Sequence, residues 1–158
     1  MKLNVKICVG IPASGKSTFS AQYVFDNPET KRINKDCLRE MFNPGKVTKV
    51  NENFIRMSRM KLIELCMIMD RHVLIDDTNC IQERLDELIS DIKIAASAMG
   101  KKVEIEIIDF QTDFQTCLER NRNRKKVVEE RFLYFMQKSK DNLDFKALKF
   151  HTYTIKKD

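Results

Sequence analysis

The stretch VGIPASGKST, residues 9–18, decides how the rest of the chain is read. Within it, Gly10 to Ser17 fit the pattern G-x-x-x-x-G-K-[ST] without a mismatch. The glycines of that pattern let backbone N–H groups turn toward an anion, and the helix that follows adds its positive N-terminal end. Lys16 is then placed to reach the β- and γ-phosphates of ATP, and Ser17 to ligate Mg²⁺. Gly10, Ala13, Ser14, Gly15, Lys16, Ser17 and Thr18 are the expected nucleotide contacts of this loop. The alternative is a glycine turn without a ligand. A strand before the loop and a helix after it weigh against that.

Outward from the loop, strand and helix patterns alternate. LNVKICV (3–9) puts Leu3, Val5, Ile7 and Val9 on one strand face, and a helix is expected from near Ser17 to just before Asn27-Pro28. KRINKD reads as a short strand ending at Asp36, and CLREMF as a helical turn closed by Asn43-Pro44-Gly45. A long helix is expected from Asn51 to Asp70, its methionines taken as core packing. HVLIDDTN (72–79) is an apolar strand stopping at Asp76 and Asp77, and an amphipathic helix follows it, ended by Gly100. KVEIEIID alternates apolar and acidic residues, as a strand with one wetter face does. Thr112 is the expected cap of a helix running through the arginines to Arg124. A last helix, EERFLYFMQKSK, and a terminal strand, LKFHTYTI, complete the order. The pattern predicts an α/β fold of the P-loop NTPase type, with a mainly parallel sheet flanked by helices, as one domain over 1–158. Such sheets bind ligands at the carboxyl ends of their strands, where the glycine loop, Asp36 and Asp76-Asp77 should converge.

Composition narrows the setting. The chain has 158 residues, 42% hydrophobic and 33% charged, which is enough to build one full core. No apolar run reaches the roughly 20 residues of a membrane helix, so a cytoplasmic protein without a membrane partner is expected. Five scattered cysteines and only two histidines suit reduced, mostly buried thiols rather than a zinc site. The net charge of +6 suits an anionic partner without selecting one.

Three further groups carry chemistry. One of Asp76 and Asp77 should steady Mg²⁺ or orient the loop serine, while the other, or Thr78 or Asn79, caps the next helix. Asp36 and Arg39 are three apart, hence on one helical face. Either they form a surface ion pair, or the carboxylate takes the proton of an acceptor hydroxyl and the arginine grips an anion on that acceptor. In ERNRNRKK (119–126), Arg120 and Arg124 share a face if helical while Arg122 looks away. Two arginines aimed at a triphosphate stabilise charge in phosphoryl transfer, whereas a solvated helix end is the plainer alternative. INKD resembles the N-K-x-D guanine reader of GTPases but lacks its spacer, so a guanine switch is not expected.

Taken in order, GIPASGKST, INKDCLRE, IDDTN with Glu83-Arg84, and CLERNRNR resemble the kinase domain of the polynucleotide 5′-hydroxyl kinases over about residues 3 to 140. The resemblance implies transfer of the ATP γ-phosphate to the 5′-OH end of DNA or RNA in end repair, as in bacteriophage members (then in the host cytoplasm). It implies ATP·Mg²⁺ on Lys16 and Ser17, and Asp36 as general base. It also implies Arg39 on the phosphate 3′ of the acceptor nucleoside, a nucleoside-monophosphate-kinase-like fold with a helical lid near 120–128, Arg124 as the lid arginine near the γ-phosphate, and Arg120 as the other nucleotide contact. Family members place the strand-end acid at the position of Asp76 or of Asp77, and this chain has both. Asp77 and Thr78 are further expected on the substrate side. Where bacteriophage members continue the lid with a glycine, this chain has Lys125-Lys126. With no D-x-D-G-T signature, no 3′-phosphatase activity is expected. Two alternatives stand beside this reading: a kinase of a small metabolite, nucleoside or nucleotide, and a nucleotide-dependent binding module.

Overall fold

The computed structural model describes residues 2–42, 48–145 and 149–153. The element order is β1 (Lys2–Val9), α1 (Lys16–Asp26), β2 (Thr30–Ile33), α2 (Lys35–Phe42), α3 (Lys49–Ile68) and β3 (His72–Ile75). It continues with α4 (Gln82–Ala98), β4 (Lys102–Phe110), α5 (Phe114–Arg122), α6 (Glu130–Asp141) and β5 (Lys149–Tyr153). The strands form one sheet in the order β2-β3-β1-β4-β5, and every pairing is parallel. The expected Asn43-Pro44-Gly45 turn lies outside the described residues, as do the ends of the expected last strand.

β1 is central and covered on both faces, so its residues divide between two cores. Leu3, Val5, Ile7 and Val9 join the larger core with Ile63 and Met67 of α3 and Leu85, Leu88 and Ile92 of α4. Cys8 faces the smaller one, with Leu74, Ile108 and Phe110 under Phe19 and Tyr23 of α1. At the start of the sheet the alternation of β4 becomes explicit. Glu106 stands opposite Lys6 in the register and pairs with it, and Glu104 meets Lys2 at 3.1 Å. Such cross-strand pairs help fix the register of the sheet's wetter end.

Several expectations shift in detail. β2 stops at Ile33, and Asp36 lies in the first turn of α2 rather than at a strand end. The cause is Asn34, whose Oδ1 accepts from the Cys37 N–H at 2.9 Å and starts the helix. INKD is thus a strand end followed by a helix cap. α5 is capped by Asp113, which accepts from the Thr116 N–H at 3.0 Å, and not by Thr112. α4 starts after Ile81 with no side-chain cap, so Asp76, Asp77, Thr78 and Asn79 are all free of that role. Its other end closes as expected: Gly100 at φ 64° lets the Lys101 N–H reach the Ala96 carbonyl at 2.8 Å. The methionines of α3 divide, with Met67 buried but Met57 66% exposed. Four cysteines are buried and Cys37 is exposed, all of them free thiols.

Candidate active site

The phosphate loop bridges Val9 and Lys16, and its shape follows from two close approaches. A Cβ on Gly10 would lie 2.6 Å from Ser14 Oγ and 3.0 Å from Phe110 Cβ, so no side chain fits there. Gly15 sits at φ 97° as the residue before α1, a conformation that favours glycine. Neighbouring strand ends hold the loop in place. The Gly10 N–H donates to the Thr78 carbonyl at 2.9 Å, and Thr112 Oγ1 donates to the Ser14 carbonyl at 2.8 Å. Thr112 therefore fastens the loop instead of capping a helix.

Lys16 is buried, with its ammonium donating to the carbonyls of Gly10 and Ile11, each at 2.8 Å. Burial pushes its pKa down, with nearby anionic groups opposing the shift. A buried ammonium held by two carbonyls at the start of α1 is a ready partner for phosphate oxygens. Gly10 and Ser14 are buried within the loop and do not line the cleft. Ala13, Gly15, Lys16, Ser17 and Thr18 line a cleft of about 1080 Å³ above it.

The two aspartates after β3 have different surroundings. Asp76 is 1% exposed; its Oδ2 takes both bonds of Arg32 from β2, at 2.8 and 2.5 Å, while its buried Oδ1 has no hydrogen-bond partner among the described residues. Burial raises its pKa, and Arg32, Lys16 and Ser17 oppose the rise. A desolvated carboxylate within reach of the Ser17 hydroxyl fits a cation held on nucleotide phosphates. Asp77 is committed to the protein. Its Oδ1 accepts from the Lys35 N–H at 2.8 Å, and its Oδ2 accepts from Arg59 Nη1 of α3 at 3.0 Å. It thus joins the start of α2 to α3 and lines the same cleft.

The acid–arginine pair stands at the boundary of two clefts. Asp36 is exposed, and its Oδ1 accepts from Arg39 Nη1 at 2.5 Å. Arg39 also makes a two-pronged contact with Glu52 of α3, at 2.6 and 2.7 Å, which sequence reasoning missed because it spans two helices. That contact raises the pKa of Arg39 and lowers that of Glu52. Asp36 and Arg39 line both the nucleotide cleft and a second cleft of about 1030 Å³ between α3 and α4. Thr78 lies on the same shared boundary, with Phe132 and Met136 of α6 as its apolar wall. α6 is held there by Lys140, which meets the buried Asp109 at the end of β4 at 2.8 Å.

The arginine segment differs from a continuous helix. α5 ends at Arg122, so Arg124 is on the bend that follows and helical spacing does not relate it to Arg120. Both nevertheless line the nucleotide cleft, and neither side chain has a partner among the described residues. Arg122 turns away to Glu130 at 2.7 Å. The frame is set by the intervening asparagines. Buried Asn121 donates to the Val128 carbonyl at 2.7 Å and accepts from the Val128 N–H at 3.0 Å, while Asn123 donates to the Glu119 carbonyl at 3.0 Å. The expected lid is therefore one helix end and a loop stapled at its base.

A parallel sheet in this order, with a glycine-lysine loop between its central strand and the next helix, defines a nucleotide-binding P-loop domain of the kinase-like class. The chain belongs to the family described as an AAA domain, whose profile matches residues 5–140. Among solved structures, the chain is similar to a protein of the Pnkp1/Rnl/Hen1 complex, at 22% identity and a TM-score of 0.67. That match covers 80% of this chain and 40% of the other, so the chain spans well under half of that protein. A fungal RNA kinase is similar over 100% of this chain and 76% of its own, at 11% identity and a TM-score of 0.67. A gluconokinase from Sinorhizobium meliloti is similar over 98% and 84%, at 12% identity and a TM-score of 0.59. No curated protein matches the chain. Among the described residues, no helix is long and apolar enough to cross a membrane.

Proposed function

We infer that the protein is a cytoplasmic polynucleotide 5′-hydroxyl kinase, transferring the ATP γ-phosphate to the 5′-OH end of DNA or RNA in end repair. The observation that carries this reading is the Asp36–Arg39 pair on the boundary shared by the nucleotide cleft and the cleft between α3 and α4. A nucleotide switch has no use for a carboxylate beside a second cleft, whereas a kinase needs one to meet its acceptor. The likeness to RNA-kinase structures supports a nucleic-acid acceptor, and the basic side chains of the second cleft suit it.

Lys16 and the loop amides bind the β- and γ-phosphates, and Arg120 and Arg124 bring positive charge to the transferring group. Ser17 and Asp76 would hold Mg²⁺, which would supply positive charge to the phosphate oxygens. Asp36 takes the proton of the 5′-OH as its oxygen bonds to the γ-phosphorus. The bond from that phosphorus to the bridging oxygen breaks, and ADP leaves with the electron pair. Arg39 holds the phosphate 3′ of the acceptor nucleoside. In doing so it exchanges the Asp36 carboxylate for the phosphate and frees Asp36 to accept a proton. Asp77 and Thr78 keep α2 and the loop in register with this meeting point.

The test is transfer of label from γ-labelled ATP to a 5′-OH oligonucleotide, beside free nucleosides, nucleoside monophosphates and gluconate. Label on the oligonucleotide supports the reading. Label confined to a small acceptor would instead assign the chain to the metabolite kinases, a class its likeness to a gluconokinase keeps in view.

A further inference from the structure

The second cleft contains more positive charge than Arg39 accounts for. Arg56 and Arg59, which also line it, are each engaged by a carboxylate, Glu87 and Asp77, at 3.0 Å. Arg84 is different. It lines both clefts, is exposed, and has no side-chain partner among the described residues. Glu52, the carboxylate that grips Arg39, has its pKa lowered first by that bond and also by the fields of Lys35 and Arg84. Arg39 and Arg84 thus act on one carboxylate, Arg39 on α2 and Arg84 on α4.

Arg84 also occupies the first turn of α4, a helix whose N-terminus has no side-chain cap. A cation there opposes the helix dipole, and an anion lying between the guanidinium and the helix end reverses that opposition. Arg84 enters the sequence reading only as part of Glu83-Arg84, with no role assigned, because an arginine on an amphipathic helix reads by itself as a solvated surface residue.

We propose that Arg84 is a second phosphodiester ligand, holding the acceptor strand one linkage inside the phosphate held by Arg39. The inference rests on the polynucleotide-kinase reading and deepens it. Arg39 is bonded to Asp36 itself, so the phosphate it takes is the one next to the reacting nucleoside. Arg84, on another helix of the same cleft and not bonded to Asp36, receives the following phosphate. The acceptor is recognised as a strand with at least two internucleotide phosphates, through its backbone and independently of base sequence.

The experiment measures binding of a fluorescent single-stranded 5′-OH trinucleotide to the full chain and to Arg84→Ala, across a salt series. Removing one phosphate-binding cation lowers the slope of log affinity against log salt by about 0.7 for a single strand. Arg84→Ala is expected to flatten the slope by about that amount and to weaken binding by about fivefold to tenfold at low salt. ATP binding should be unchanged. A methylphosphonate at the second linkage is expected to weaken binding to the unsubstituted protein but to add nothing in Arg84→Ala. An unchanged slope, or a loss of ATP affinity instead, would overturn the assignment of Arg84 alone. Absence of oligonucleotide binding by the unsubstituted protein, with ATP still bound, would overturn the underlying reading together with this one.

Discussion

Arg39 reaches along one turn of α2 to Asp36, Nη1 to Oδ1 at 2.5 Å, while its other nitrogens are held by Glu52. A proposed base is therefore stored in an ion pair with the proposed acceptor ligand. Proton transfer and acceptor binding become coupled, because a phosphate that engages Arg39 releases the carboxylate. Asp36→Asn should leave ATP binding unchanged and lower turnover by about a hundredfold or more, the usual contribution of a general base. Full turnover in that variant, measured by single-turnover transfer, would remove Asp36 from the role.

Glu52→Gln tests the anchor of Arg39. The amide cannot supply the charge-assisted fork, so Arg39 loses its fixed orientation. The KM for an oligonucleotide is expected to rise about tenfold, the order of one hydrogen bond to a charged group, with the KM for ATP unchanged. Equal changes in both constants would point to a general loss of structure.

Asn121→Ala removes the side chain that satisfies both backbone groups of Val128. Leaving those groups unpaired should cost about 1–3 kcal/mol of stability in denaturant unfolding. Turnover should fall as well, because Arg124 is carried on the segment that Asn121 closes. In a double-mutant cycle, Arg124→Ala should cost less in the Asn121→Ala background than alone. Strict additivity would separate the staple from the arginine.

Much of this frame is legible in the chain, and the exceptions share a cause. The alternation of β1, the glycine loop and the Gly100 stop are local, so pattern and turn chemistry suffice to place them. Asp36 reads as a strand end because the capping role of Asn34 is hidden inside INKD. The helix through Arg124 reads too long for a similar reason. Asn121 bonds to Val128, seven residues away, and helical periodicity contains no trace of that bond. The separate fates of Asp76 and Asp77 depend on Arg32, Lys35 and Arg59, which come from β2, α2 and α3. Residues that meet only through the tertiary fold leave no spacing to read.

Alkaline pH supplies a check on the core behind the loop. Burial pushes the Cys8 thiol from 9.0 up to about 12, its Sγ lying 3.8 Å from Ser20 Oγ. The folded state keeps this proton after the unfolded chain has lost it. The contribution to stability is therefore complete below about pH 9 and is lost as pH rises toward 12. In that window each pH unit costs up to about 1.4 kcal/mol. Urea unfolding at a series of pH values should show a shallower alkaline decline for Cys8→Ala than for the unsubstituted chain. Identical slopes would contradict the assigned burial.

The most direct measurement is the acceptor panel: γ-labelled ATP with Mg²⁺, a 5′-OH oligonucleotide, the same oligonucleotide already 5′-phosphorylated, a nucleoside, and gluconate. Label is expected on the 5′-OH strand alone, released by a phosphatase that removes terminal phosphates. Label on gluconate or a free nucleoside with none on the strand, or ATP hydrolysis with no labelled acceptor, would contradict a polynucleotide kinase.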